Sequence, residues 1–361
     1  MQIRAAVLRT PEGPFTVEDL ELAPPGPGQV LVRIVGAGIC HTDLLHRDGF
    51  GLAPLPAVLG HEGSGVVEQL GEGVTDVEVG DHVVLSFASC GACGACGTGH
   101  PAYCDTFLFR NLGGRELDGS TGATDAEGTE VSSRFFGQSS FATHCVAGER
   151  NVVVVDRDLP LELLGPLGCG LLTGAGSIVN PLGVGEGTSV VVTGAGAVGL
   201  AAVMAAAALG AGPIIAVDRH PARLALATEL GATHTLDADA DLAAEVLSIT
   251  GGGADRALDT TGVPAVITAA LGALRMTGVL GMVGVQQGDL VLDTLTPLGK
   301  TLIAILEGDA VPRELVPRLI GWWREGRFPF DRLVETFPLD EVEAAVTAST
   351  SGRVVKPVML P

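Results

Sequence analysis

Positive charge is scarce in this chain. Its 361 residues carry 21 Lys+Arg against 42 Asp+Glu, a formal net charge of −21. So acidic a surface repels phosphate backbones and anionic headgroups, which argues against a nucleic acid or a membrane surface as partner. The N-terminus, MQIRAAVLRT, lacks a cationic stretch leading into an apolar run, so no signal peptide is read there. No apolar run is long enough to span a bilayer. Those around 190–217 are broken by glycine and end at Asp218, so they read as strand and helix. A cytoplasmic setting with reduced thiols is the expectation. Internal repeats and low-complexity tracts are absent as well, which removes solenoids and disordered tails.

What remains is a folded α/β composition, 47% hydrophobic and with 52 glycines. The length exceeds one ordinary core, so two domains are expected. The first 150 residues hold short β-branched runs, among them QVLVRIV (29–35), SGVVEQL (64–70) and DHVVLSF (81–87), punctuated by Gly, Pro and Asp. That pattern predicts a β-rich unit. Residues 105–137 are polar and glycine-rich and read as a long surface excursion. After about residue 170 strands and helices alternate: SVVVTGAGAVG (189–199), LAAVMAAAALGA (200–211), PIIAVD (213–218), ARLALATELGA (222–232), RALDTTG (256–262), PAVITAALGALR (264–275) and GVLGMVG (278–284). Such alternation predicts a doubly wound parallel sheet. A helical stretch with proline interruptions follows near 306, and VVKPVML reads as a closing strand.

Within the alternating half, Gly194-x-Gly196-x-x-Gly199 follows a strand and opens a helix, and Asp218 ends the next strand. The first glycine makes a tight turn, the second lets the backbone approach a pyrophosphate, and the third lets helix and strand pack closely. The helix N-terminus then offers N–H donors to the phosphates. An acidic side chain at 218 accepts from an adenosine ribose and repels a 2′-phosphate, which favours NAD over NADP. Arg219 beside it softens that preference. The bland alternative is a glycine turn without cofactor.

Seven cysteines is an odd number, and four of them crowd into CGACGACGTGHPAYC. Cys90, Cys93, Cys96 and Cys104 follow C-x2-C-x2-C-x7-C, and four thiolates can close a tetrahedral zinc shell. A closed shell holds a fold together and leaves no position for substrate. An iron–sulfur cluster uses the same donors and stays open at this point. Cys40 in GICHTD, His61 in GHEGSG and Cys169 in GPLGCGLLTGAGS have the composition of a three-ligand catalytic zinc. They lie up to 129 positions apart, so spacing alone does not join them.

A resemblance does. GHEGSGVVEQLGEGV (60–74), with Cys40, the four-cysteine loop and GAGAVG, resembles the zinc-containing medium-chain alcohol dehydrogenase family, in that family's order and along nearly the whole chain. RFFGQSSFATH, LELLGPLGCGLLTGAGS and GRFPFDRLV are similar to its bacterial aryl-alcohol (benzyl-alcohol) dehydrogenases. The resemblance implies a β-rich GroES-like catalytic domain at 1–170 with a structural-zinc lobe at 88–105. It implies a Rossmann NAD-binding domain at 171–306 and a C-terminal return at 307–361. Two Zn²⁺ per subunit are expected, a catalytic one on Cys40, His61 and Cys169 and a structural one on Cys90, Cys93, Cys96 and Cys104. Asp43 matches the residue that orients the zinc-bound imidazole, Glu62 a carboxylate beside the metal, and Thr42 the hydroxyl that takes the alcohol proton. For the cofactor, Gly194, Gly196, Val198, Gly199 and Asp218 match the nucleotide turn. Thr173 matches a residue near the nicotinamide, Arg223 one near the adenosine, and His41 and Lys356 basic groups near the pyrophosphate.

One departure stands out. Many members carry a relay histidine five residues after the first zinc cysteine, where this chain has Leu45, and His46 is one residue off. The implied activity is reversible, NAD-linked oxidation of aromatic or allylic primary alcohols to aldehydes, with terpene or aliphatic primary alcohols as the alternative. Leu45, Phe87, Leu108 and Phe136 are candidate lining residues. The long segment between Cys104 and Phe141 resembles that of dimeric members, so a homodimer through strands around 278–310 is expected.

Overall fold

A computed structural model describes all 361 residues, and the chain divides into two compact units. The first comprises Met1–Cys169, Val311–Pro317 and Asp331–Pro361; the second comprises Gly170–Ala310 and Arg318–Phe330. The stretch after 306 therefore does not return to the first unit in one piece. Residues 318–330 stay with the second, where Trp322, Phe328 and Phe330 are buried.

The first unit is built on β-sheet. Strands Gln2–Leu8, Phe15–Leu22, Gly122–Thr124, Glu130–Ser132 and Ala57–Val58 close into a barrel. A seven-stranded sheet is centred on Gln29–Gly38, which pairs antiparallel with Gly63–Leu70, His144–Gly148 and the C-terminal strand Lys356–Leu360. The β-branched runs supply the inward faces, as half-buried strands require. Residues 105–137 are more ordered than their polarity suggests. They form the helix Phe107–Leu112 and two of the barrel strands, and they bury Phe107, Phe135 and Phe136. Strands of three residues are too short to show an alternation in sequence, which is why they read as loop.

In the second unit six parallel strands run in the order His234–Asp237, Ile214–Asp218, Val190–Thr193, Ala254–Asp259, Leu274–Met282, Thr301–Ala304. Numbered along the chain this order is 3-2-1-4-5-6, that of a Rossmann sheet. Helices Ala197–Ala208, Pro221–Glu229, Leu242–Thr250 and Pro264–Gly272 make the crossovers. Val191, Ile215, Ala257, Leu271 and Leu280 meet in one of its buried cores. The fourth helix stops at Gly272, short of the Arg275 expected from its composition, because Leu274 already pairs with Ala254 in the sheet. No single helix in the chain is long and apolar enough to cross a membrane.

Candidate functional site: two cysteine-rich metal centres and a nucleotide turn

Strand Gln29–Gly38 delivers the chain to Cys40, which caps the short helix His41–Leu45 in an extended conformation. The cap is closed by Asp43, whose Oδ2 accepts the Cys40 N–H at 2.9 Å. Its other oxygen accepts the Gly60 N–H at 3.0 Å and the His61 Nδ1–H at 2.9 Å. Asp43 and His61 are both fully buried. The carboxylate thus fixes the imidazole proton on Nδ1 and leaves Nε2 turned inward, buried and without a partner. Cys169 ends the 3₁₀ turn Gly165–Gly168, which is pinned by Ser86 Oγ donating to the Gly168 carbonyl at 2.6 Å. One donor atom from each of Cys40, His61, Glu62 and Cys169 lies within 4.8 Å of the others.

The electrostatics of this cluster suit a cation. The Cys169 thiol donates to Cys40, and this contact, helped by His61 and Lys356, outweighs burial and holds the Cys40 pKa well below that of an ordinary thiol. Burial disfavours a charged His61, but Asp43 and the Cys40 thiolate more than offset it, so its pKa lies well above the usual imidazole value. A divalent ion can replace the protons these groups hold. The orphaned Nε2 and the thiolate pair fit zinc chemistry.

Glu62 is tied down from the other side. Lys356 Nζ donates to both of its oxygens at 2.9 Å and to the Ile39 carbonyl at 3.1 Å. Gly38 makes room for this pair, since a Cβ there would come within 2.2 Å of a Glu62 oxygen. Lys356 was expected near a pyrophosphate. It is instead buried within the first unit, because the C-terminal strand pairs with Gln29–Gly38 and sets its first residue beside Ile39. Burial lowers its pKa, but Glu62 and Cys40 outweigh that and keep it raised, so it remains an ammonium. Thr42 Oγ1 stands 3.8 Å from Cys40 Sγ, and His41 is exposed. His46 is buried with its ring against Phe135, and Leu108 lies 59% exposed.

Segment 134–140, RFFGQSS, supports His61 and carried no signal that composition could reveal. Phe136 stacks on the imidazole with centroids 4.3 Å apart, and Phe135 meets it edge-on at 5.6 Å. Phe136 holds a left-handed φ of 51°, an uncommon conformation for an aromatic residue, which aims its ring at His61. Gln138 donates to the His61 carbonyl at 3.0 Å and accepts the Gly63 N–H at 3.1 Å, clamping the backbone on both sides of Glu62.

The four clustered cysteines meet in the same way. One sulfur from each lies within 4.8 Å of the rest. Backbone N–H groups already point at them, from Cys90 to Cys104 Sγ at 3.2 Å and from Cys93 to Cys90 Sγ at 3.3 Å. Despite some burial, the Thr106 hydroxyl and the Cys90 N–H lower the Cys104 thiol to about 6. Such N–H···S contacts favour thiolate over thiol and fit a tetrathiolate metal.

In the second unit the first and third fingerprint glycines are required by geometry. Gly194 has φ +92°, and a Cβ on Gly199 would lie 1.8 Å from the Gly194 carbonyl oxygen. A Cβ on Gly196 would meet nothing, which leaves its backbone open to a ligand. Asp218 accepts the Ala195 N–H at 2.7 Å and the His220 N–H at 2.8 Å, so it faces the turn. Val198 and Gly199 lie in the first turn of the helix. Arg223 opens the next helix with its Nε buried and without a partner. Thr173 donates to Glu307 at 3.3 Å. Asp259, which sequence reasoning passed over, is fully buried and accepts from Thr193, Thr261 and the Gly262 N–H at 2.7–2.8 Å. It ties the ends of two adjacent strands beside the glycine turn.

With a Rossmann sheet, a GroES-like unit and two cysteine-based centres in place, comparison with known proteins gives the class. Residues 26–160 match the alcohol dehydrogenase GroES-like domain family and residues 197–321 the zinc-binding dehydrogenase family. The chain belongs to the zinc-binding medium-chain alcohol dehydrogenases, with zinc and NAD as cofactors. Among relatives, it is 49% identical to geraniol dehydrogenase of Castellaniella defragrans, over 99% of this chain and 97% of the relative. Among solved structures, an alcohol dehydrogenase zinc-binding domain protein from Burkholderia ambifaria is 47% identical with a TM-score of 0.98, covering 100% of this chain and 99% of that one. Benzyl alcohol dehydrogenase from Acinetobacter calcoaceticus is 43% identical with a TM-score of 0.96 and the same coverage.

Proposed function

We propose that this alcohol dehydrogenase oxidises primary alcohols whose carbinol carbon neighbours a π-system, benzyl and allylic alcohols, reversibly to aldehydes with NAD. The observation that carries the reading is an aromatic wall continuous with the metal-binding imidazole. Phe136 stacks on His61, Phe107 meets Phe136 at 6.5 Å, and Phe87 meets Phe107 at 5.8 Å. Ring faces and edges of this kind suit a flat, unsaturated substrate, and they exclude water from the reacting carbon.

Cys40, His61 and Cys169 would hold a zinc ion, which would supply the Lewis acidity that lets an alcohol lose its proton near neutral pH, and nicotinamide would supply the hydride acceptor. Asp43 keeps the His61 lone pair on Nε2. Lys356 holds Glu62 beside the donor set as a balanced ion pair. Thr42 Oγ1 would take the alcohol proton, and Leu45, at the usual relay position, has no group to pass it on. Asp218 accepts from the adenosine ribose and disfavours a 2′-phosphate.

A narrower reading, an allylic terpene alcohol such as geraniol in place of a benzyl alcohol, draws on the 49% identity to a protein named geraniol dehydrogenase. Kcat/KM for benzyl, cinnamyl, geranyl and short aliphatic alcohols, each with NAD and NADP, separates them. The expected order places benzyl and cinnamyl first with NAD. Ethanol equal to benzyl alcohol would overturn the reading, and a geranyl preference would narrow it to allylic terpene alcohols. We further infer a homodimer through the edge strand Thr301–Ala304. Val285, Val291, Leu295 and Leu298 nearby in sequence are all exposed apolar residues, Val291 by 81%. A sedimentation mass of four chains refutes it.

A further inference from the structure

In a chain with twice as many acids as bases, an arginine that forms no ion pair is unexpected, and three such arginines face one cavity. The cavity, about 280 Å³, lies within the first unit beside the four-cysteine lobe. Arg110, Arg115, Arg134 and Arg150 line it together with Cys90 and Glu116. Only Arg134 is ion-paired, to Glu116 at 2.8 Å; it is 5% exposed and also donates to the Ser133 carbonyl. Arg115 Nε is buried with no hydrogen-bond partner. Arg110 donates to the Thr106 hydroxyl at 2.8 Å, and the Arg150 guanidinium lies against Gly91 of the cysteine loop.

The other acid in the lining, Glu149, is committed elsewhere, accepting the backbone N–H groups of Thr75 and Asp76 at 2.7 and 2.6 Å. Four cations therefore face two carboxylates. Like charges brought together repel, and the buried Arg115 Nε–H left unpaired is costly. No arginine donates to a cysteine sulfur, whose hydrogen bonds come from backbone N–H groups and the Thr106 hydroxyl.

We propose that this cavity is an oxyanion site that takes a phosphate group, inorganic or as a phosphomonoester. Arg115 Nε presents an unclaimed N–H, and guanidinium forks match phosphate oxygens in pairs. Filling it would also brace the lobe, since Arg110 leads through Thr106 to Cys104 Sγ, 3.4 Å from that hydroxyl, and Arg150 covers Gly91.

The test uses the zinc-replete full chain with saturating NAD, so that the glycine turn is already filled. Melting temperature is followed against inorganic phosphate, with chloride at equal ionic strength as reference, and phosphorus NMR line broadening reads binding directly. The wild type is expected to show a saturable rise that is absent in chloride. Arg115→Gln and Arg150→Gln are each expected to weaken phosphate binding about tenfold, as loss of a charged hydrogen bond implies. Arg33→Gln and Arg353→Gln, at exposed ion pairs, leave it unchanged. A phosphomonoester that displaces inorganic phosphate identifies an organic ligand and supports the site. The proposal is overturned if phosphate has no saturable effect on the wild type, or acts equally on the variants. It is also overturned if the variants lose zinc while keeping the phosphate response, since the arginines then serve the metal lobe alone.

Discussion

Replacing Asp43 by asparagine changes one atom and should empty one metal centre. The carboxylate accepts three buried hydrogen bonds, from the Cys40 N–H, the Gly60 N–H and His61 Nδ1–H. An amide offers one oxygen. Facing Gly60 and His61 with it sets the NH₂ against the Cys40 N–H; the flipped amide sets NH₂ against the other two. Either way at least one buried donor meets another donor, which costs about 1–3 kcal/mol, and the charge that orients His61 is lost. Outer partners of metal-bound histidines are worth about 10–100-fold in metal affinity. The expected result is a 10–100-fold drop in zinc affinity at the Cys40–His61–Cys169 centre alone. Zinc release to a competing chelator, followed with a colorimetric dye, resolves the two centres by their different rates. In Asp43→Asn one equivalent should leave early while the other follows the wild-type curve. An unchanged curve for both equivalents would falsify the assignment of Asp43 as the group that holds His61 in its ligating tautomer.

The two centres should also separate by ligand. Cys93→Ser is expected to lower the melting temperature and still bind one zinc, whereas Cys169→Ser should keep its stability and lose activity; metal analysis and thermal melts check both. Gly199→Ala places a methyl within 1.8 Å of a carbonyl oxygen, so NAD binding, read by fluorescence titration, should be lost with both zincs retained. Asp255 gives a pH signature. Burial pushes its pKa up, but the Ser189 hydroxyl and N–H and nearby Arg275 outweigh this and hold it below the usual carboxylate range. A depressed folded-state pKa contributes stability that is present above the unfolded value of about 3.9 and lost as pH falls through the folded one. Asp255→Asn should therefore melt below the wild type at neutral pH, with the gap closing in acid. A gap that persists there refutes the linkage.

Parts of this molecule were legible in the sequence because their signals are local. The glycine fingerprint sits on one strand–helix junction, and Cys90 to Cys104 share one loop. Cys40, His61 and Cys169 are different: each is an ordinary residue in its own neighbourhood, and only a family likeness joined them. The Glu62 partner of Lys356 was not legible, because a basic residue near the C-terminus gives no indication of what it meets. Pairing of the last strand with Gln29–Gly38 determines that it meets Glu62. Phe135 and Gln138 lie in a stretch that carried a family likeness but no sign of their roles, and Asp259 gave none, since those roles depend on which backbone groups come within reach after folding. The barrel strands Gly122–Thr124 and Glu130–Ser132 are held by neighbours distant in sequence, which no local propensity encodes.

That last strand also sets an order of events during synthesis. Residues 170–310, almost all of the second unit, leave the ribosome before Lys356–Leu360 has been made. Until then Glu62 has no ammonium facing it, and the central sheet of the first unit has an unpaired edge beside Gly38. A nascent chain can thus close its nucleotide turn early, whereas the environment around Cys40 and His61 is finished only once Lys356–Leu360 has been made. A stop codon that removes so little as that strand would reach back across the whole chain to the catalytic centre.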